Sequence, residues 1–387
     1  MDFDLSEDAL AVKKLARDFA AKEIAPYAAG WSELEEFPAP VFQKLGSLGL
    51  MGMLVEEEYG GIDVGLVAYV AAMEEIGRAD QSVASSWNAH STIATLPLAK
   101  FGTHEQKERW LRPLAEGTHI GAFGLTEPGA GSDAASIRTR AERRDGGWVL
   151  NGNKIFITNA GTEISLGVSV LAVTGENNDG SKRYGVIFVP KGTEGFEVGQ
   201  PMRKIGWHAM DTRELIFDDC WVSDEHLIGD EGAGLRQFLS VLDPGRISVA
   251  ALSLSLAAAS LDLALEYVVE REQFGRRIAD FQATHHRLAE MATQVETARL
   301  LVYRAAWLAD RGRDFSMAAA MAKLHASEVA NKVASASLQL HGGYGFMRET
   351  PISRFYSDAK ILEIGEGTNE IQKNVIARKL LRGTTER

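Results

Sequence analysis

The sequence predicts an α+β protein in three consecutive parts. An N-terminal α-helical domain covers residues 1–119, a middle β domain (barrel or sandwich) covers 120–229, and a C-terminal four-helix bundle covers 230–387. Three observations predict this. The 387 residues exceed what one compact core organises, so two or three domains are expected. Strand-like runs and loops rich in Gly, Asn and Asp are confined to the middle. Long Ala- and Leu-rich segments fill the last part.

In the first part, Ser6 reads as an N-cap, with Glu7 and Asp8 in the first turn, where carboxylates suit the helix dipole. Leu10, Leu15, Phe19 and Ile24 give an imperfect apolar stripe that Pro26 ends. A second helix is expected near Pro40–Leu48, then the turn Tyr59-Gly60-Gly61. Further helices fit Val64–Arg78, Ser82–Lys100 and Glu105–Ala115, with Pro97 kinking or interrupting its helix.

In the middle part, Trp148–Ile157 reads as two strands joined by an Asn151-Gly152 hairpin turn. Strand-like runs follow at Ser169–Thr174, Tyr184–Val189 and Glu214–Phe217. In the last part, helices are expected at Leu235–Leu242, Ile247–Gln273, Phe281–Arg311, Met317–Leu340 and Thr368–Leu381.

Composition narrows the function. A net charge of −12 disfavours a nucleic-acid partner, which needs clustered Lys and Arg. It leaves room for a phosphorylated small ligand. Cys220 is the only cysteine, and the nine histidines show no zinc spacing, so no disulfide and no metal centre is expected. No apolar run approaches the roughly 18 residues of a membrane span; Ile247–Leu265 is broken by Ser248, Ser253, Ser255, Ser260 and Asp262. The acidic start Met1-Asp2-Phe3-Asp4-Leu5 matches neither a signal nor a transit peptide, so a cytoplasmic protein without membrane association is the expectation.

Six segments could carry chemistry, and each also has a plain structural explanation. Phe123–Asp133 contains Leu125, Thr126, Gly129, Gly131 and Ser132: either a glycine turn presenting hydroxyls and N–H groups to a ligand, or a connector into the β domain. Lys154–Gly161, on the return strand of that hairpin, places Phe156 and Thr158 two residues apart. The two side chains are expected on the same side of the strand, where they could line a flat heteroaromatic ring or simply be half-buried. Asp243-Pro244-Gly245-Arg246 offers Arg246 to a phosphate or to a neighbouring carboxylate. Arg271-Glu272-Gln273-Phe274-Gly275, with Gln282 beyond, is a ligand corner or a capped helix–helix turn. Gln339-Leu340-His341-Gly342-Gly343-Tyr344-Gly345 has more glycine than one helix cap needs, which implies close backbone approach to a ligand or another subunit. Finally, Glu363–Gln372 carries Glu366 between Gly365 and Gly367, a carboxylate suited either to a helix N-terminus or to catalysis.

Their order and spacing together resemble the acyl-CoA dehydrogenase family over essentially the whole chain, Phe3 to Arg378. Thr126-Glu127-Pro128-Gly129-Ala130-Gly131-Ser132-Asp133 and Glu366-Gly367-Thr368 are the most specific signatures. The resemblance implies FAD, held by Phe123, Leu125, Thr126, Gly131, Ser132, Phe156, Thr158, Thr368 and Glu370. It adds Arg271, Gln273, Phe274, Gln282, Gln339, Leu340, Gly342 and Gly343 around the adenosine pyrophosphate, several of these from a neighbouring subunit. It implies that Ser132, Asp243, Arg246 and Gly367 contact an acyl-CoA. A homotetramer built as a dimer of dimers and electron-transfer flavoprotein as electron acceptor are also implied.

The implied reaction forms a trans-2-enoyl-CoA, Glu366 taking the α-proton and flavin N5 the β-hydride. Some branches of the family place the base at the position of Gly245, which favours Glu366 here. Phe281 stands where the family often has His, which bears on the neighbouring Gln282 contact. The rival readings are a flavin oxygenase or oxidase on the same scaffold and a non-catalytic acyl-CoA-binding scaffold. The acyl group is not legible; Trp87, on the helix around Ser85–Ala94, could shorten an acyl pocket or pack in the core.

Overall fold

The computed structural model describes residues 4–385; the first acidic residues, Met1-Asp2-Phe3, lie outside them. The chain begins with helix α1 (Glu7–Phe19), capped as expected: the Ser6 hydroxyl accepts the Ala9 N–H at 3.2 Å. Helices α2 (Ala28–Leu34), α3 (Ala39–Ser47) and α4 (Gly65–Ala79) follow. The segment expected as one helix over Ser82–Lys100 is α5 (Gln81–Asn88), a π turn (Ala89–Ala94) and α6 (Thr95–Phe101). Pro97 is the third residue of α6, just past the π turn, so the helix is widened where the proline's missing N–H interrupts the ladder. Pro113 also follows a π turn. A π turn (Lys107–Leu111) separates α7 (His104–Gln106) from α8 (Arg112–Ala115), and Pro113 lies at the start of the latter.

The middle part is one hydrogen-bonded sheet of eight strands. They are β1 (Ile120–Gly124), β2 (Arg140–Arg144), β3 (Gly147–Thr158), β4 (Ser165–Glu176), β5 (Lys182–Pro190), β6 (Phe196–Val198), β7 (Thr212–Ser223) and β8 (Leu227–Ile228). The order is β6-β7-β3-β2-β4-β5-β8, with β1 parallel to β4. The hairpin expected at Asn151-Gly152 does not exist. Those residues lie inside the single strand β3, where Gly152 occupies a bulge against β7. There φ is +140°, and a Cβ would stand 2.8 Å from Thr139 Cα. The turn is one step earlier, at Asp145-Gly146, both in the left-handed region (φ 51° and 73°), between β2 and β3.

The expected break between Leu242 and Ile247 is also absent. Helix α9 runs unbroken from Gly234 to Glu270 with Pro244 inside it. Pro244 lacks one helical donor, at a cost of about 3 kcal/mol; the burial of nearly every residue from Ile247 to Ser260 outweighs it. By length and composition α9 could cross a membrane, but 83% of its apolar window is buried inside the protein. Beyond α9, residues expected as helix and cap form a small hairpin, β9 (Glu272–Gln273) with β10 (Arg276–Arg277), turning through Phe274 and Gly275.

Helices α10 (Gln282–Asp310), α11 (Ser316–His341) and α13 (Asn369–Thr385) complete the bundle, with a short unexpected α12 (Pro351–Ala359). One buried apolar cluster joins α1, α4 and α5 to α9–α12, so the first and last parts share a core. Its small residues let helices approach closely: a Cβ on Gly77 of α4 would stand 2.0 Å from the Ser255 hydroxyl of α9. Trp87 belongs to this core, fully buried, donating to Leu50 O at 2.9 Å and packed on Tyr69.

Candidate active site

The first two sequence motifs form one structure. The Ile155 N–H donates to Thr126 O at 2.9 Å, tying the turn after β1 to strand β3. Beneath it, Lys154 is fully buried and donates to Glu127 at 2.8 Å and to Leu125 O at 3.1 Å. Glu127 also accepts the N–H groups of Arg138 (2.7 Å) and Thr139 (2.9 Å). Burial pushes its carboxyl upward, but Lys154 and these donors together hold it below the ordinary range. Burial lowers Lys154 to about 8 despite Glu127. This pair was not singled out in the sequence; its signal was a charge of each sign, one inside each of the first two motifs.

On that base, Gly129 and Gly131 face open space, a Cβ on either meeting nothing within 4 Å. Ser132 is exposed, and Thr126 and Thr158 are half-buried. Phe123 and Leu125 pack against the core under the sheet, Phe123 stacking on Phe238 of α9 with centroids 4.1 Å apart. Phe156 and Thr158 are not related by simple alternation. A bulge between Lys154 and Ile157 puts Phe156 at φ 61° and leaves it 64% exposed. A left-handed, exposed phenylalanine costs the fold about 1–2 kcal/mol and is retained where the ring has work outside the core.

Glu366 lies in the turn between α12 and α13, also left-handed (φ 51°), followed by Gly367 (φ 94°). Gln372 braces that turn, donating to Gly367 O at 2.9 Å. The turn aims the Glu366 side chain at α5 and α9. Oε1 accepts from Asn88 Nδ2 at 2.8 Å. Oε2 is sealed from solvent and has no partner. Burial is the main influence on this carboxyl; Asn88, Lys323 and Arg246 oppose it, and the result is a pKa raised to about 7. Gly245 of α9 stands directly opposite: a Cβ there would lie 2.5 Å from Oε2 and 3.3 Å from Ile93. The carboxylate fills the space that any side chain at residue 245 would need.

Charges surround this carboxyl. Lys323 of α11 is fully buried and donates to Asn369 at 3.1 Å, its pKa lowered by burial to about 8. Arg246 pairs with Asp243 one helical turn away, and its Nε is buried without a partner. Thr368 heads α13, its hydroxyl accepting the Ile371 N–H at 3.4 Å. Thr368 and the exposed Glu370 border a cavity of about 240 Å³ with Lys360 and Lys373.

A second group of candidates lies elsewhere. Arg271, Gln273, Leu340, Gly342 and Gly343 line a cleft of about 420 Å³ with Tyr344. The glycines again face open space. Phe274, at the hairpin tip, is 93% exposed; Gln282 and Gln339 are also exposed. This cleft opens beyond the C-terminal end of α9, whereas Phe123 stacks near its N-terminal end. Along the helix, Phe238 and Arg271 are separated by about 50 Å at 1.5 Å per residue, longer than an FAD molecule. The structure therefore separates Phe123 from the Arg271 cleft by nearly the length of α9.

Family models match three successive stretches: "Acyl-CoA dehydrogenase, N-terminal domain" at residues 6–118, "middle domain" at 122–220 and "C-terminal domain" at 232–381. A probable acyl-CoA dehydrogenase of Bacillus subtilis is 46% identical, covering 99% of this chain and all of that one. The butyryl-CoA dehydrogenase of Megasphaera elsdenii superposes with a TM-score of 0.95 at 41% identity, over 98% of this chain and all of that one. A chain in a structure of the electron transferring flavoprotein of Acidaminococcus fermentans gives 0.95 at 42% identity, over 99% and 100%. An acyl-CoA dehydrogenase from Bacillus anthracis complexed with FAD gives 0.93 at 32% identity, over 99% of this chain and 68% of that one.

Proposed function

Since the chain belongs to the acyl-CoA dehydrogenase family, we propose that it oxidises an acyl-CoA thioester to the 2-enoyl-CoA with FAD as cofactor and Glu366 as base. The observation that carries this reading is the Glu366 carboxyl, with one oxygen tethered, one unpartnered and sealed from water, and a pKa near 7.

The residues fit a flavin. The open glycine surfaces at Gly129, Gly131, Gly342 and Gly343 admit close backbone approach, and exposed Phe156 offers an aromatic face on the strand tied to Thr126. When bound, FAD supplies the acceptor for the hydride leaving Cβ.

The chain's own residues do the rest. A thioester Cα–H is too weak an acid to ionise unaided, so its carbonyl oxygen needs a donor as charge develops; the Glu366 backbone N–H is our candidate. Glu366 takes the α-proton. A base whose pKa lies near the working pH is both ionised and strong enough for that step. Arg246 and Asp243, with Gly367 and Ser132, are assigned to the CoA-bearing substrate.

The separation of the two ligand groups along α9 supports a shared site, with Arg271, Gln273, Phe274, Gln282 and Gln339–Gly343 serving the flavin of a second copy. That separation calls for at least two copies, and we propose the homotetramer, a dimer of dimers, that the family resemblance implies. Electron-transfer flavoprotein is the proposed oxidant of the reduced enzyme. The test is anaerobic mixing of the yellow holoenzyme with acyl-CoAs of graded length and branching. Bleaching with one enoyl-CoA formed per flavin is expected, followed by slow reoxidation in air. Rapid peroxide formation would instead support an oxidase, and no bleaching with any thioester would leave only a binding scaffold.

A further inference from the structure

Asn88 is the last residue of α5, where the helix widens into the π turn, a distortion that often marks functional positions. Its side chain is buried between α9 and the Glu366 turn. We infer that Asn88, oriented by Ser248, is a positioning residue that tethers one oxygen of the Glu366 carboxylate and leaves the other free for the substrate's α-proton. The inference rests on reading Glu366 as the base.

The hydrogen bonds have only one consistent arrangement around an ionised Glu366. A carboxylate only accepts, so Asn88 must turn its NH2 toward it, as the 2.8 Å contact to Oε1 shows. Asn88 Oδ1 then needs a donor, and the Ser248 hydroxyl of α9 supplies it. Ser248 Oγ is itself held near Gly245 O (3.0 Å) and Thr92 Oγ1 (3.3 Å), while Thr92 donates to the Asn88 carbonyl at 2.8 Å. A protonated Glu366 could equally donate to a flipped amide. When Glu366 is ionised, Ser248 holds Asn88 in the orientation that serves the basic form by donating to Oδ1; around a flipped amide it would accept from the NH2 and donate to Gly245 O instead.

The two oxygens are thereby divided. Oε1 is fixed by Asn88, and Oε2 faces the clearing made by Gly245 with no partner. The other charged or titratable groups facing this carboxyl are Lys323 from α11, Arg246 from α9 and Tyr69 from α4. The two cations favour the ionised form. Tyr69 is kept neutral, since burial and the nearby Glu366 raise its pKa well above the ordinary value. Asn88 is the one uncharged side chain that donates directly to Glu366 among the described residues.

The test compares Asn88→Leu, Asn88→Asp and Ser248→Ala with the parent holoenzyme. The readouts are the pH profile of kcat/KM and the infrared carbonyl band of protonated Glu366 in protein without substrate. Loss of one hydrogen bond to the charged form should move the acid limb and the band's midpoint upward by about one to two pH units in Asn88→Leu. The rate should then fall about tenfold or more at pH 6.5 and recover in part by pH 9. Asn88→Asp should shift further, because a second carboxylate repels the first. Ser248→Ala should shift less, in the same direction. Melting and flavin content report folding separately; if Asn88→Leu does not fold, an unmoved limb in Ser248→Ala overturns the proposal. Unmoved limbs in the Asn88 variants, with Glu366→Gln still inactive, also overturn it and leave the base assignment standing. Full activity in Glu366→Gln would instead remove the reading on which it rests.

Discussion

Replacing Gly245 with alanine should separate stability from catalysis. Gly245 lies inside α9 with ordinary helical backbone, so an added methyl should favour the helix by about 1 kcal/mol. The same methyl would stand 2.5 Å from Glu366 Oε2. Carbon and oxygen need about 3.4 Å, so the carboxylate must retreat by roughly 0.9 Å. Ile93, 3.3 Å from the same methyl, adds a second tight contact. A displacement near 1 Å at a reacting group costs about a hundredfold in rate. The expected result is a kcat lower by about two orders of magnitude, little change in KM, full flavin content and a melting temperature equal to or above the parent's. Steady-state turnover with a dye acceptor and a thermal melt read both quantities. Parental kcat in a normally folded Gly245→Ala enzyme would refute the placement of the Glu366 carboxylate.

Other consequences follow from the same geometry. The limb of kcat/KM should rise with pH through about 7 as Glu366 ionises in the free enzyme; a limb near 4.5 would contradict the burial argument. Because its folded pKa exceeds the unfolded value of 4.5, the folded state binds this proton more tightly. Stability from this group is therefore full below pH 4.5 and is lost as pH rises through 7, by about 3 kcal/mol. The difference in unfolding free energy between parent and Glu366→Gln isolates it from Asp358, another buried carboxyl raised to about 7; a pH-independent difference would contradict it. Lys154→Ala leaves Glu127 buried and unpaired, so a loss of about 3–5 kcal/mol with weakened flavin retention is expected, by denaturant titration and flavin absorbance. Mixed oligomers of inactive Glu366→Gln and flavin-poor Arg271→Ala chains should recover activity, because one site in each mixed pair has both residues; no recovery would argue that the cleft serves its own chain.

The sequence made the helix–sheet–helix order legible because periodicity and turn residues change character near Ile120 and Gly234. It misplaced features where a local signal competes with packing. Asn151-Gly152 has the chemistry of a hairpin turn, but the pairing of β3 with β7 turns it into a bulge, while Asp145-Gly146 makes the turn. Pro244-Gly245 reads as a break, yet burial carries α9 through it. In the site, Glu366 stood out through its flanking glycines. The residues that govern it, Asn88, Ser248 and Lys323, look like ordinary helix residues in one dimension, and only the crossing of α5, α9 and α11 brings them to it. Gly245 was noticed as a missing base, and the structure gives it a positive role as clearance for the carboxylate. The cleft at Arg271 was legible as a ligand corner, but its distance from Phe123 depends on α9 being one helix.

The most direct test of the central claim is the reductive half-reaction of Glu366→Gln. The variant holoenzyme should retain flavin, bind acyl-CoA with a spectral perturbation, and fail to bleach on mixing anaerobically in a stopped-flow instrument, its rate lower than the parent's by several orders of magnitude. Bleaching at the parent rate would show that another group takes the α-proton, and the account of Glu366 would be wrong.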